Sequence, residues 1–339
     1  MNDKNNILEV KNLKVRFNTD EGMVYACNDV SYQVGRGKSI GIVGESGCGK
    51  SVSAYSILQL LPPNAEIYEG EITYKNDNNE IQNITNLNPK SQKMRKIRGA
   101  QISMVFQEPM TAFSPVHTIK NQISEKILLH QDIQKHAAHD RAIELLDLVK
   151  ISNPEKTIEK YPFQLSGGMI QRAMIAMGLA CEPKILIADE PTTALDVTIQ
   201  AQVLKLIRDM QNDFNLSLIL ITHDLGVIAH MTEHVYVMYL GSIVEDGPVK
   251  QLFNNPLHPY TQDLLKSIPT ITKKRKELSS IQGSVPDAYN LPSGCFFHTR
   301  CQKIYGQICR EKKPIRQEAK NNHYVSCFHY IQKEVQENA

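Results

Sequence analysis

The spacing of apolar and polar positions divides the chain into short strands and amphipathic helices. Ile7 to Phe17 alternates, as a half-buried or edge strand does, and Val30 to Val34 repeats that alternation. Ser39 to Val43 is a short apolar run that ends at a glycine, and Ser51 to Leu61 follows with helical spacing. Glu71 to Thr85 predicts further strands, interrupted by the turn-forming run Asn76-Asp77-Asn78-Asn79. Ile102 to Phe106 is another apolar strand, and leucines and isoleucines at three- and four-residue intervals make Ile119 to Val149 mostly helical. Lys184 to Ala188 and Ser217 to Ile221 are apolar after their first residue, the kind of strand that a parallel sheet covers on both faces. Helical patterns separate these strands, so the core is predicted to be α/β. After Gly247 the texture changes. Prolines stand at 248, 256, 259, 269, 286 and 292 and a group of cysteines follows, which places a domain boundary near 250.

Composition adds little to this picture and excludes some of its alternatives. The chain has 339 residues, 41% apolar and 22% charged, enough to bury a sizeable core. A formal net charge of +2 is too mild for a nucleic-acid binder, which concentrates basic residues on one face, so no nucleic-acid partner is expected. The densest basic run, Lys273-Lys274-Arg275-Lys276, reads as a solvated linker. The opening MNDKNNILEV has no apolar core of a secretory signal, and no run of 18 apolar residues occurs, so the expected compartment is the cytosol.

The chemistry begins at Gly44-Glu45-Ser46-Gly47-Cys48-Gly49-Lys50-Ser51, which fits G-x-x-x-x-G-K-[ST] between a strand and a helix. Glycines let successive backbone N–H groups turn inward around phosphates, and the helix N-terminus adds partial positive charge. Lys50 is placed to reach the β- and γ-phosphates and Ser51 to ligate Mg²⁺, with Val52 the next residue along the ATP. A second signal is Ile185-Leu186-Ile187-Ala188-Asp189-Glu190, a buried strand delivering two carboxylates at its C-terminal end, where α/β sheets bind ligands. Asp189 is the candidate for hydrated Mg²⁺ and Glu190 the candidate to polarise an attacking water.

Leu165-Ser166-Gly167-Gly168-Met169 resembles the signature motif of ATP-binding cassette (ABC) ATPases. The order of the other features is similar to that family too: phosphate loop, Gln107, signature, Asp189-Glu190, Asp196 and His223. The resemblance implies a P-loop NTPase fold of the ABC type, with a RecA-like core, an antiparallel β subdomain and a helical subdomain at about 110–180 within residues 1–250. It implies that Gln107 touches Mg²⁺ and the attacking water and that His223 acts on the γ-phosphate. Ser166, Gly167 and Gly168 would bind the γ-phosphate held by a second subunit, and Asp196 would lie at the dimer interface. The family also stacks the adenine on an aromatic residue, for which Phe17 and Tyr25 are both candidates, Phe17 being equally readable as a core strand position.

A narrower resemblance comes from Phe106-Gln107-Glu108-Pro109-Met110-Thr111, from Met169, and from His258-Pro259-Tyr260-Thr261, Gly283, Pro286 and Leu291-Pro292-Ser293-Gly294-Cys295. These are similar to the ATPases of dipeptide and oligopeptide importers and to their C-terminal extension, here 251–339. The same branch serves nickel and some oligosaccharide importers. The chain departs from the branch at Phe296, Thr299 and Ala112-Phe113-Ser114. The resemblance implies an ATPase that powers import from the cytoplasmic face of a membrane. Its partners would be a second homologous ATPase subunit in a heterodimer, two transmembrane permeases and an extracellular solute-binding protein. Two other readings are a soluble ABC ATPase of DNA repair or translation, and a regulatory subunit that binds ATP without hydrolysing it. The first lacks its usual coiled-coil insertion or tandem cassettes, and the intact Gln107, Asp189, Glu190 and His223 speak against the second.

Four of the seven cysteines, Cys295, Cys301, Cys309 and Cys327, fall in the tail with five, seven and seventeen residues between them. Four thiolates select zinc or an iron–sulfur cluster over hard metals, and unligated or disulfide-bonded cysteines are the third reading. The family resemblance points to a [4Fe–4S] cluster. A proline-rich tail this short would gain from such a staple.

Overall fold

The computed structural model describes residues 5–193, 195–267 and 281–330; the basic run Lys273 to Lys276, Pro269 and Ala194 lie outside these residues. In chain order the first elements are β1 (Asn6–Thr19), β2 (Gly22–Gly35), β3 (Ser39–Val43), α1 (Lys50–Ile57), β4 (Ala65–Lys75), β5 (Ile81–Asn83), α2 (Gln92–Lys96) and β6 (Ile102–Val105). Next come α3 (Pro109–Ala112), α4 (Ile119–His130), α5 (Lys135–Leu148), α6 (Pro154–Thr157), α7 (Gly167–Leu179), β7 (Ile185–Asp189), α8 (Val197–Asp213) and β8 (Ser217–Ile221). The last are α9 (Leu225–Met231), β9 (His234–Tyr239), β10 (Ser242–Pro248), α10 (Val249–Asn254), α11 (Pro259–Lys266), α12 (Ile308–Glu311), β11 (Gln317–Lys320) and β12 (His323–Val325). Helix starts are chemically marked: Thr118, Ser166, Asp196 and Asp224 cap α4, α7, α8 and α9 by accepting backbone N–H groups with their side-chain oxygens.

The chain forms two compact units, one of residues 1–33, 40–85 and 222–339, the other of 34–39 and 86–221. In the first unit β2-β1-β4-β5 make one sheet, with β4 antiparallel to β1 (Val10 opposite Ile72) and to β5. The predicted turn at Asn76–Asn79 closes the β4–β5 hairpin, with Asn79 in the left-handed region at φ 64°. A second set of strands runs in the order β11-β12-β10-β9-β3. Its β3 is parallel to β9, and β9, β10, β12 and β11 pair antiparallel. All five residues of β3 are buried.

Residues after 250 are built into this first unit. β12 adds to β10 with Glu245 opposite Val325. Glu245 is fully buried and its carboxylate accepts from His323 Nε2 at 2.7 Å and from the backbone N–H groups of Leu257 and His258 at 2.9 and 2.8 Å. His258 Nδ1 in turn accepts from the Tyr260 N–H, and burial pushes its pKa down to about 3, so it stays neutral.

In the second unit β6, β7 and β8 are parallel neighbours, buried along their whole length. Helix α7 packs on β6, and α4 and α5 pack against α7 and each other. The predicted helix from 119 to 149 is interrupted at Gln131–Gln134, so two helices replace one. Helix α4 carries a half-buried lysine among neutral acceptors: Lys126 Nζ donates to Ser103 Oγ at 2.9 Å and to the carbonyls of Met177 and Gly178 at 2.8 and 3.5 Å. Burial lowers its pKa to about 8. Above that value the folded protein has released a proton that the unfolded chain still holds, so this residue makes stability rise with pH between about 8 and 10.5. Denaturant titrations of wild type and Lys126→Met should show a wild-type excess rise on the order of 2–3 kcal/mol across that window. Parallel curves for the two proteins would contradict it.

Candidate functional site

Within the first unit, β3 ends at Gly44 and the loop to Gly49 leads into α1. Two loop glycines are required by contact as well as by backbone. A Cβ on Gly44 (φ 157°) would come within 2.1 Å of the Met238 carbonyl oxygen, and one on Gly49 (φ 96°) within 2.1 Å of the Ala26 carbonyl oxygen. Gly47, at φ 78°, faces open space. Lys50, first residue of α1, is buried and its Nζ donates to the carbonyls of Gly44 and Glu45, each at 2.9 Å. The lysine therefore holds the loop curved. Gly49 caps α1 without a side-chain acceptor, so the helix begins with its positive end at the phosphate loop. Cys48 is buried, and burial raises its thiol pKa, so it is a packing residue of the loop. His223 is exposed in the stretch before α9, beside the cap residue Asp224. Phe17 on β1 and Tyr25 on β2 are both half-buried; Tyr25 packs edge-on against Tyr68 with ring centroids 6.2 Å apart.

Within the second unit, Gln107, Asp189 and Glu190 meet at the C-terminal ends of β6 and β7. Asp189 is fully buried at the end of β7. Glu190 follows in the left-handed region at φ 45°, a conformation that costs a non-glycine residue energy and recurs at functional positions. Its N–H is bonded to the Ile221 carbonyl at 2.8 Å, and its Oε2 accepts from Gln107 Nε2 at 3.3 Å and from Thr193 Oγ1 at 2.8 Å. The carboxylate is thus aimed by two donors. Ser166 caps the 13-residue α7, with Gly167 and Gly168 in its first turn. Ser166 and Gly167 are exposed, and a Cβ on Gly168 would meet Ile199 at 2.9 Å. Asp196 is exposed and committed to capping α8, accepting from Thr198 N and Ile199 N at 3.0 Å each. Beside it Val197 is 82% exposed, a large apolar side chain with no cover in its own unit.

The four tail cysteines line one apolar cavity of about 10 Å³, room for roughly one water, with His258, Phe297 and Phe328. Each sulfur accepts a backbone N–H: Cys295 from Phe297, Cys301 from Lys303 at 3.3 Å, Cys309 from Tyr305 at 3.3 Å and Cys327 from His329. Burial pushes the Cys295 thiol up to about 12 and the Cys327 thiol up to about 11, and raises Cys301 as well. Among the described residues no group of three or more His, Cys, Asp or Glu side chains could hold a single metal ion.

The sequence matches the ABC transporter family over residues 27–193 and the C-terminal region of oligopeptide/dipeptide transporters over residues 244–309. A probable peptide ABC transporter ATP-binding protein of Sinorhizobium fredii is 46% identical over 324 residues, 95% of this chain and 94% of that protein. The dipeptide transport ATP-binding protein DppD of Bacillus subtilis is 46% identical over 323 residues, 95% of this chain and 94% of its own. The chain belongs to the ATP-binding subunits of peptide ABC transporters.

The cassette fold agrees. A dimeric, post-hydrolysis ATP-binding cassette bound to ADP and Pi superposes with a TM-score of 0.62 at 26% identity, over 71% of this chain and 98% of that one. The cassette is an ATPase of a transport system, as the motif order implied, and ATP with Mg²⁺ is the typical ligand pair of such ATPases. Permease and solute-binding partners follow from the same kinship. No described helix is long and apolar enough to cross a membrane.

Four contributors to these groups escaped the sequence. Thr193 belongs to none of the motifs, yet its hydroxyl donates to Glu190. Met238 supplies the carbonyl that excludes any side chain at Gly44. Arg300 and Tyr260 reach Glu45 of the phosphate loop from the C-terminal extension. Of the departures from the branch, Phe296 lies under the Lys313 ammonium, 4.3 Å from the ring centroid, and Phe113 is buried.

Proposed function

We propose that this cassette hydrolyses ATP to drive peptide import, pairing with a homologous ATPase subunit on the cytoplasmic face of two permeases. Functionally the chain divides into the nucleotide-binding part, 1–250, and the extension, 251–339. Backbone N–H groups between Gly44 and Val52, other than that of Glu45, and the Lys50 ammonium hold the triphosphate. Ser51, Gln107 and Asp189 hold Mg²⁺, which neutralises phosphate charge. Glu190 takes the proton of the attacking water and His223 steadies the γ-phosphate. The adenine stacks on Phe17 or Tyr25. Ser166, Gly167 and Gly168 serve the ATP of the partner subunit, and Asp196 with the exposed Val197 lies in the shared interface. The observation that carries this reading is Glu190: left-handed at the end of a buried strand and aimed by Gln107 and Thr193. Apolar side chains at Met110, Val116 and Phe163, each at least half exposed, offer the permeases a surface on the second unit.

Peptide as the solute is supported by the relatives named for dipeptide and peptide transport. The test is uptake into proteoliposomes holding this chain, its partner ATPase, the permeases and the solute-binding protein. ATP-dependent accumulation of a labelled tripeptide is expected. Accumulation of nickel or an oligosaccharide with no peptide uptake would replace the solute.

For the four thiols we propose a [4Fe–4S] cluster with a structural role. The donors suit it in kind and number: four cysteines around one cavity, each sulfur receiving a backbone N–H. The enclosed space is smaller than the cluster, so the thiols spread to seat it. Anaerobically purified protein should be brown, with about four iron and four sulfide per chain, and replacing Cys309 with serine should bleach it. A colourless protein with one zinc would overturn the assignment.

A further inference from the structure

Glu45 is an oddity in a loop shaped for an anion. Its carboxylate sets a negative charge beside the place where a triphosphate binds, and such a charge repels the ligand unless it is balanced. The C-terminal extension balances it. Arg300 makes a two-pronged pair with Glu45, Nη1 to Oε2 at 2.7 Å and Nη2 to Oε1 at 3.2 Å. The arginine is itself fixed: its side chain is 4% exposed, its Nε donates to the Gln282 carbonyl at 3.0 Å, and its guanidinium lies about 6 Å from the ring centroids of Tyr239 and Phe297. Tyr260 provides a second hold. Its hydroxyl accepts the Glu45 backbone N–H at 2.9 Å, and its ring packs against Tyr239 and Phe297 at 4.7 and 5.4 Å between centroids. With Lys50 bound to the Glu45 carbonyl, this one residue is gripped at its N–H, its carbonyl and its side chain.

We propose that Arg300 and Tyr260 are positioning residues of the nucleotide site: the extension neutralises Glu45 and fixes the Gly44–Glu45 peptide, so ATP affinity depends on the tail. The inference rests on reading Gly44 to Ser51 as the ATP loop. Arg300 immediately precedes Cys301, so the four-thiol region and the phosphate loop are joined by a single side chain.

The test uses the full chain for equilibrium binding of a fluorescent, non-hydrolysable ATP analogue with Mg²⁺, and the assembled transporter for KM and kcat. Arg300→Gln is expected to weaken analogue binding about tenfold or more, the scale of a lost charged hydrogen bond, and to raise KM for ATP with kcat at saturation held within about twofold. Tyr260→Phe, which removes one hydroxyl, is expected to weaken binding severalfold. Adding Glu45→Gln to Arg300→Gln should recover most of the lost affinity, because the unbalanced carboxylate is then gone. Merely structural side chains would instead make the double variant at least as poor as the single one. Wild-type affinity in both Arg300→Gln and Tyr260→Phe would overturn the proposal, as would a loss that the double variant fails to recover. Should Arg300→Gln not fold, Tyr260→Phe decides alone, and unchanged binding sinks it. Lys50→Ala separates the two layers. If it binds ATP normally, the reading of the loop itself fails; if it loses ATP while the other variants do not, only the role of the extension fails.

Discussion

Glu190→Gln is expected to lower ATP turnover by the assembled transporter by about 10²–10⁴, the usual worth of a positioned general base. The amide keeps the shape of the carboxylate, and its oxygen still accepts from Thr193 Oγ1 and Gln107 Nε2, so the local geometry survives. What it loses is the ability to take a proton from water. ATP should therefore bind within a few fold of wild type while hydrolysis stalls, which isolates the chemical step from binding. Rapid-quench single-turnover measurement on the assembled complex checks it directly. A single-turnover rate equal to wild type would remove Glu190 from the role of base and move attention to His223.

Gly49→Ala should destroy the phosphate loop outright, whereas Gly47→Ala should spare it. At Gly49 a methyl group meets the Ala26 carbonyl oxygen at 2.1 Å, a backbone atom that cannot swing aside, and the residue also sits at φ 96°. Left-handed strain and overpacking each cost about 1–3 kcal/mol, so together about 2–6 kcal/mol falls on the junction where the loop enters α1. Nucleotide binding should fall by a hundredfold or more. At Gly47 the same methyl meets nothing within 4 Å, and only the strain of φ 78° remains, about 1 kcal/mol. Paired calorimetric titrations with ATP distinguish the two. Equal affinities in both variants would show that the contact with Ala26 does not shape the loop.

Much of the architecture was legible because burial follows short-range rules. Strands β3, β7 and β8 are five-residue runs buried at every position, and their apolar sequences announce it. The long helix expected at 119–149 breaks at Gln131–Gln134, where the apolar spacing continues but the polar run allows a turn, so periodicity alone overran the gap. The helix after the phosphate loop stops at Ile57, short of Leu61, because Gln59 turns left-handed at φ 49° ahead of Pro62-Pro63. Strand β2 begins at Gly22, well before the alternation at Val30, since its first half follows from pairing with β1 and carries no regular pattern of its own. Motif spacing singled out Lys50, Gln107, Asp189, Glu190 and the signature as candidates. It could not locate Thr193, Arg300 or Tyr260, because a hydrogen bond such as Arg300 to Glu45, across 255 positions, leaves no local trace. No composition rule foretells that β12, from the proline- and cysteine-rich stretch after 250, would join β10.

That last pairing governs how the protein can be handled. Strand β10 would be a bare sheet margin without β12, with its unpaired amides turned outward and the Glu245 carboxylate stripped of His323. A cassette trimmed to its catalytic motifs would thus offer a ready template for strand-to-strand clumping, and the tail acts as the stopper that keeps neighbouring molecules apart.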